Sequence, residues 1–453
     1  MKGYCSWCLK KITPTLISDS KLQRNLYTCQ SCGKKIVKCR GCENYARYDI
    51  HEQKDVKGKH HKKRHFDQFC LEHRHELRDF SKMNSKLKNP SDYRIVYEYN
   101  SANLSKAGRI ALISSLGAAV TGPFFYIAGP AIGGAIGAKV AGLSGAVATN
   151  YGLALLGFGS LAAGGFGMAG GMVVVTAAGT ALGGAVGAYI GNNYLRDIYK
   201  FDIVQIKNGK KPAIITINGF LSEKDYKNQK GFQDWKKVIK THYPDNEWYH
   251  IYWEAKSLYE IGSLITSTGA SVLTSAAIAK AAKQATKVAT KKIGPLGTVL
   301  TALQLSKNPW HVALRKAEET GVLLADILKR TNKRYIILAH SLGCRVAFST
   351  MSGLSTTGEK IIEEVHLTGG AVDRKKDNWK MAKKAVSGKT FNYYSKNDYV
   401  LRFLYKAGTF FTSNPIGLSK IDYIRGIRNC NVTRHVKGHM EHKSNAHRFL
   451  KKC

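Results

Sequence analysis

Arg334-Tyr-Ile-Ile-Leu-Ala-His-Ser-Leu-Gly-Cys344 decides how the rest of the chain is read. Its apolar half, Arg334 to Ala339, is too short for a buried helix and reads as a buried strand. Ala339-His340-Ser341-Leu342-Gly343 then turns sharply into a helical stretch, Cys344–Met351. Strand, tight turn and helix around a serine make the geometry of a nucleophile elbow. The serine backbone there is strained, so the residues two before and two after it must be small. Ala339 and Gly343 meet that demand. Ser341 is therefore the candidate nucleophile, and the helix behind it points its N-terminus at a developing oxyanion. The Leu342 N–H is one oxyanion donor. The second is expected from the turn after the first strand, Asn218-Gly219-Phe220, through the Phe220 N–H. The competing reading is an ordinary strand–helix turn with an idle serine.

Outward from the turn, short apolar runs alternate with amphipathic stretches. Pro212–Gly219, Trp248–Trp253, Ile362–Thr368, Thr390–Ser395 and Asn431–Val436 read as further strands, and Trp310–Lys329 as a helix. Such alternation predicts an α/β fold, a three-layer sandwich around a mostly parallel sheet. In an α/β-hydrolase-like fold the nucleophile is followed by an acid and then a histidine. Asp398 follows the Thr390–Ser395 strand, and His439 follows the last strand after Gly438. Asp398 would hold the imidazole tautomer, while His439 would take the Ser341 proton and return it to the leaving group. Asp373, at the end of Gly369-Gly-Ala-Val-Asp373, is a fallback acid. His435, His442 and His447 crowd the same region, and most of them read as solvated basic residues.

A chain of 453 residues exceeds one ordinary core, and 70 Lys and Arg against 31 Asp and Glu give it a net charge of +39. That excess favours an anionic partner, a membrane surface or a nucleic acid. A hydrophobic share of 44% excludes a disordered basic tail. No charged residue occurs from Ala111 to Ala138, nor between Lys139 and Arg196. Each stretch exceeds the roughly 20 apolar residues that a bilayer crossing needs. Gly133/Gly137 and Gly183/Gly187/Gly191 repeat at the spacing that lets helices approach closely in lipid. Membrane insertion is the expectation, and a buried soluble Ala/Gly-rich hairpin is its rival. Residues 260–308, Ala/Ser/Thr-rich and then Lys-rich, read as a helical insertion that covers a site or lies on a membrane.

Seven of the ten cysteines precede residue 71. Cys5/Cys8, Cys29/Cys32 and Cys39/Cys42 are C-x-x-C pairs and Cys70/His73 is a C-x-x-H pair. Eight ligands make two closed structural zinc sites. Sequential pairing groups Cys5, Cys8, Cys29 and Cys32, then Cys39, Cys42, Cys70 and His73; interleaved pairing is equally compatible with the spacing. His51, His60, His61 or His65 could replace His73. Paired thiolates suit a reducing compartment, and the N-terminus lacks the apolar run of a signal peptide, so residence facing the cytosol is expected. The expected organisation is a Cys/His module at 1–80, a linker at 81–106 containing Asn89-Pro90, a Gly/Ala-rich membrane segment at 107–195 and the α/β domain at 196–453. The basic run from Lys54 to Arg64 leaves nucleic-acid or lipid phosphate binding by residues 1–80 open.

Several segments carry a family resemblance. They are Asn308-Pro-Trp with the helix ending Gly321-Val-Leu-Leu-Ala-Asp326, then Leu338-Ala-His-Ser-Leu-Gly-Cys-Arg-Val346, Gly369-Gly-Ala with Trp379, and Gly438-His439. The most specific is Tyr394-Ser-Lys-Asn-Asp-Tyr-Val-Leu-Arg-Phe-Leu-Tyr405. Together they make residues 200–453 resemble the transmembrane-and-coiled-coil-domain family of α/β-hydrolase-like proteins. The Gly-rich segment before them is similar in kind. The resemblance implies a membrane-associated hydrolase fold with Ser341, Asp398 and His439 at the matching positions, and it supplies no substrate. Ala339 stands where glycine is commoner, and the zinc-type N-terminus is not a general feature of the family. The expectation is a membrane-associated serine ester hydrolase whose partner is a lipid or other ester. The alternative is a non-catalytic zinc- and membrane-binding scaffold that keeps the fold.

Overall fold

A computed structural model describes residues 2–19, 24–54, 60–98, 182–198, 200–219, 231–253, 309–402 and 414–452. Phe220, the expected insertion at 260–308 and all of the Gly/Ala-rich segment up to residue 181 lie outside them. Among the described residues no helix is long and apolar enough to cross a membrane. The described residues form two compact units.

The first unit draws on the described residues within Met1–Ser85, Arg94–Gly122 and Gly184–Asn193. Strands β1 (Gly3–Tyr4) and β2 (Lys11–Ile12) pair antiparallel. Five more follow: β3 (Thr15–Ser18), β4 (Leu26–Thr28), β5 (Lys35–Lys38), β6 (Tyr45–Lys54) and β7 (His60–Phe66). They form an antiparallel meander in that order. One cluster of its core is Cys5, Ile12, Cys29, Ile36 and Tyr45.

The second unit draws on the described residues within Lys86–Tyr93, Pro123–Gly183 and Tyr194–Cys453. Its strands are β8 (Asp202–Lys207), β9 (Lys210–Ile217), β10 (Asn246–Tyr252), β11 (Tyr335–His340), β12 (Ile362–Thr368), β13 (Thr390–Tyr394) and β14 (Ile427–Asn431). They form one sheet in the order β14-β13-β12-β11-β9-β10-β8, parallel except for the antiparallel pairing of β8 on β10. From β9 the chain steps outward to β10, then returns to lay β11 on the other side of β9. The order therefore reverses between β9 and β11, and open α/β sheets bind ligands at such a switch point.

Crossovers between parallel strands are right-handed, so opposite steps put their helices on opposite faces. Helix Lys236–His242 lies in the β9–β10 crossover and helix Gly343–Ser355 in the β11–β12 crossover. On one face Trp235, Val238 and Ile239 pack with Ile214, Ile336, Leu338, Tyr393, Ala446 and Phe449. Full burial of such side chains contributes roughly 2 kcal/mol each.

Three details differ from the sequence expectations. β8 lies outside the expected strands. The last strand ends at Asn431 rather than running from 431 to 436, because the Asn431 side chain accepts the Thr433 N–H (3.1 Å) and turns the chain. Within the expected linker, Lys86–Tyr93 belongs to the second unit: Leu87 N–H donates to the Arg330 carbonyl (3.0 Å) and the Tyr93 hydroxyl to that of Phe201 (3.2 Å).

Candidate active site and metal sites

β11 is buried along its whole length between β9 and β12, which is why its sequence is a continuous apolar run. At its end Ser341 has φ +58°, a left-handed conformation that costs a non-glycine residue about 1 kcal/mol. The turn is held by surrounding hydrogen bonds. Ser341 N–H donates to the Thr368 carbonyl (3.1 Å), and the Ser341 carbonyl accepts from the Cys344 and Ala371 amides (both 3.1 Å). Glycine at 343 is enforced by close approach, since a Cβ there would lie 2.5 Å from the Ile217 carbonyl oxygen. Gly219, at the end of β9, is equally close: its Cβ would lie 2.6 Å from Ser341 Cβ and 2.7 Å from the Leu342 nitrogen. The chain leaving β9 thus runs directly past the elbow. Asn218 anchors it, with its side chain donating to the Gly231 carbonyl (2.6 Å) and accepting from Trp235 Nε1 (2.8 Å).

Ser341, Asp398 and His439 come together. Ser341 Oγ lies 2.8 Å from His439 Nε2, and His439 Nδ1 lies 2.7 Å from Asp398 Oδ2. All three are buried, His439 retaining 4% of its surface. Asp398 follows β13 in a loop tied down by the Ser395 hydroxyl, which donates to the Val436 carbonyl (2.8 Å). The other carboxylate oxygen, Oδ1, accepts the Leu401 N–H (3.0 Å). Burial alone would push the Asp398 carboxyl up. The charge and hydrogen bond of His439, with help from His442, outweigh it and hold Asp398 well below the usual carboxylate range. His340, the residue before the serine, bonds through Nε2 to the His439 carbonyl (3.1 Å), so it donates there and fixes the backbone at His439.

Leu342 is the residue preceding helix Gly343–Ser355, where amide groups have no intrahelical acceptor, and its nitrogen faces Gly219. Phe220 is outside the described residues. Asp373 is engaged by backbone amides: Oδ1 accepts the Lys375 amide (2.8 Å) and Oδ2 that of Asn414 (3.3 Å). His435 is exposed. His442 is not solvated, as the sequence suggested, but fully buried, with Nε2 3.3 Å from Asp398 Oδ2. Its spacing of three from His439, the neighbour relation on a helical turn, was the available signal.

In the first unit the eight expected ligands fall into two groups, Cys5/Cys8/Cys29/Cys32 and Cys39/Cys42/Cys70/His73, each with ligand atoms within 4.8 Å of one another. The grouping is sequential, and the interleaved alternative does not occur. Cys8 and Cys29 sulfurs are 3.7 Å apart, Cys42 and Cys70 sulfurs 3.6 Å, and His73 Nδ1 lies 3.3 Å from Cys70 Sγ. Thiolates around one tetrahedral zinc are about 3.8 Å apart. Backbone amides of Trp7 and Gly41 donate to Cys5 and Cys39 sulfurs (both 3.3 Å), as thiolate-holding loops do. Both donor sets can hold a metal ion.

A family model described as "Protein of unknown function (DUF726)" matches residues 104–453, and the chain belongs to that family. The Cys/His groups lie before the matched region. Among curated relatives, a Saccharomyces cerevisiae protein called "Probable lipase MIL1" is 28% identical over 62% of this chain and 26% of its own. The rice "Transmembrane and coiled-coil domain-containing protein STS1" is 28% identical over 65% of this chain and 44% of its own. An uncharacterized membrane protein of Caenorhabditis elegans is 30% identical over 60% of this chain and 45% of its own. The matched part of the chain thus spans less than half of each of these relatives. No solved structure matches the chain.

Proposed function

We propose that this DUF726 member is a membrane-associated serine hydrolase of lipase or esterase type, built on an α/β-hydrolase-like fold and cleaving carboxylic esters of lipids. The observation that carries the reading is the hydrogen-bond chain Ser341 Oγ–His439 Nε2 (2.8 Å) and His439 Nδ1–Asp398 Oδ2 (2.7 Å), mounted on a strained strand–helix turn. In this mechanism His439 accepts the Ser341 proton as Oγ attacks the ester carbonyl. The tetrahedral oxyanion is met by the Leu342 and Phe220 amides. His439 then protonates the leaving alcohol, and a water activated by the same imidazole releases the acid from Ser341. Asp398 stays ionised throughout and fixes the imidazole tautomer. A lipid substrate is favoured by the name of the yeast relative, by the membrane-protein names of others and by the net charge of +39.

The test is covalent labelling of the purified chain by a fluorophosphonate probe. Labelling is expected in the native sequence and absent in Ser341→Ala. A native chain that never labels, or a variant that labels equally, overturns the reading and leaves the non-catalytic scaffold.

The two Cys/His groups are proposed to hold one structural zinc ion each, and paired thiolates of this kind suit a reducing, cytosol-facing compartment. The fit rests on sulfur separations of 3.6–3.7 Å within the sets. Elemental analysis is expected to return two equivalents of zinc per chain. Removing them with a chelator should unfold residues 1–80, read as lost thiol protection; retained protection without metal would refute it.

A further inference from the structure

We propose that His442 is a positioning residue for the acid of this site: with its proton on Nε2 it sets a polar N–H beside Asp398 Oδ2, the oxygen that His439 Nδ1–H uses, and so sets how strongly the carboxylate supports His439. The inference rests on the triad reading and adds a fourth member to it. His442 is completely buried, three residues after His439. Its Nε2 lies 3.3 Å from Asp398 Oδ2, against 2.7 Å for His439 Nδ1 on the same oxygen. The longer contact falls short of hydrogen-bond alignment, and among the described residues Nδ1 has no hydrogen-bond partner either.

A neutral imidazole must carry its proton on one nitrogen, and a buried N–H without an acceptor is costly, more so than a buried lone pair. Among the described residues the carboxylate in contact with the ring is Asp398, at Nε2, so the proton belongs on Nε2. An apolar side chain would fill the space without that cost, and packing alone therefore does not account for the residue. Room for the ring is made at Gly369, which has φ +53°. A Cβ there would lie 2.7 Å from His442 Cδ2 and 3.2 Å from Asp398 Oδ2.

The groups facing the ring decide its charge. His439 and His340 stand with ring centroids 6.3 and 6.1 Å away, Asp398 lies at Nε2, and Glu441 adjoins it on its own helix. Burial lowers the His442 pKa most; Asp398 opposes this and His439 adds to it, with a net shift downward. The ring is a neutral donor at working pH. A donor on Oδ2 withdraws charge from the side of the carboxylate that His439 uses. Without it, the His439 imidazolium formed during reaction faces a fuller negative charge and is held more strongly.

The experiment follows the fluorophosphonate labelling rate of the full chain from pH 5 to 9 in the native sequence and in His442→Ala, His442→Phe and His442→Gln. The acid limb should move up by roughly half a pH unit in the Ala and Phe variants. Gln, which can return an N–H toward Asp398, should restore it. Phe fills the space without a donor, so a Phe variant whose limb coincides with the native one overturns the proposal, as does a Gln variant that shifts with Phe. If Ala fails to fold, the Phe and Gln pair carries the comparison. A native chain that does not label refutes the triad itself, whereas Ser341-dependent labelling with no shift refutes only the role of His442.

Discussion

Two aspartates follow neighbouring strands of the sheet, and their surroundings give them different work. Asp373, after β12, spends both carboxylate oxygens on the Lys375 and Asn414 amides and so fastens a loop. Asp398, after β13, turns Oδ2 to His439 and Oδ1 to the Leu401 amide. Chain order and strand position ranked Asp398 first from the sequence, but the ranking was all they offered. What a carboxylate bonds to depends on which loop crosses it, and Asn414 approaches Asp373 from 41 residues away. The burial of His442 was not legible for the same reason: the ring packs against Gly369 and Asp398, neither of them near in sequence. Asp398→Asn is expected to cut the fluorophosphonate labelling rate by about 10^3- to 10^4-fold, because the amide would leave His439 with the wrong tautomer. Asp373→Asn should leave that rate within a few fold and lower the melting temperature instead. Equal losses from the two substitutions would contradict the assignment.

Among the elements, legibility followed burial on both faces. β9, β11, β12 and β13 are interior parallel strands, short and largely buried, with continuous apolar runs in β9 and β11, and they occur where the sequence indicated. β8 is the antiparallel edge strand. Only Ile203 in it is fully buried, so Asp202-Ile-Val-Gln-Ile-Lys207 carries neither a continuous run nor a clean alternation. β14, at the opposite edge, buries Ile427 and Cys430 and shifts four residues from its expected start, because the stop is set by the Asn431 side chain rather than by hydrophobicity. The elbow was legible as a motif, yet its reason lies in the neighbouring strand. Gly343 is confined by Ile217 and Gly219 by Ser341, so β9 and β11 impose small residues on each other. Ala339, which departs from the commoner glycine, is tolerated with its carbonyl engaged by the Thr368 hydroxyl (3.0 Å). The cysteine pairs were legible as pairs, while their grouping into two sets needed the turn that brings Cys29 back beside Cys8.

On the scale of the second unit, buried histidines couple stability to pH. His250, His340, His366 and His442 keep at most 2% of their surface. Burial is the largest cause of the downward shift in each, taking His250 to about 3. Each is placed as a neutral ring; His366, for instance, has a tyrosine hydroxyl 3.0 Å from either nitrogen, Tyr393 and Tyr243. The unfolded chain binds a proton at each of these positions below the ordinary histidine value of about 6.5, and the folded chain does not. The stability they confer is therefore complete above about pH 6.5 and is lost as pH falls from there toward the folded values. Each can remove at most about 1.4 kcal/mol per pH unit, so four together cap the loss near 5 kcal/mol per unit. A drop of that order is a large part of the 5–15 kcal/mol that typically holds a domain together. The melting temperature should accordingly fall steeply between pH 6.5 and 5.5. The chain's +39 charge offers a rival cause, since added protons increase self-repulsion. Salt separates the two. Repulsion between exposed charges is screened over about 10 Å at 0.1 M salt, whereas the cost of protonating a buried ring is not. The acid-induced fall should persist in 0.5 M salt, and a melting temperature that becomes flat with pH under those conditions would assign the effect to surface charge instead.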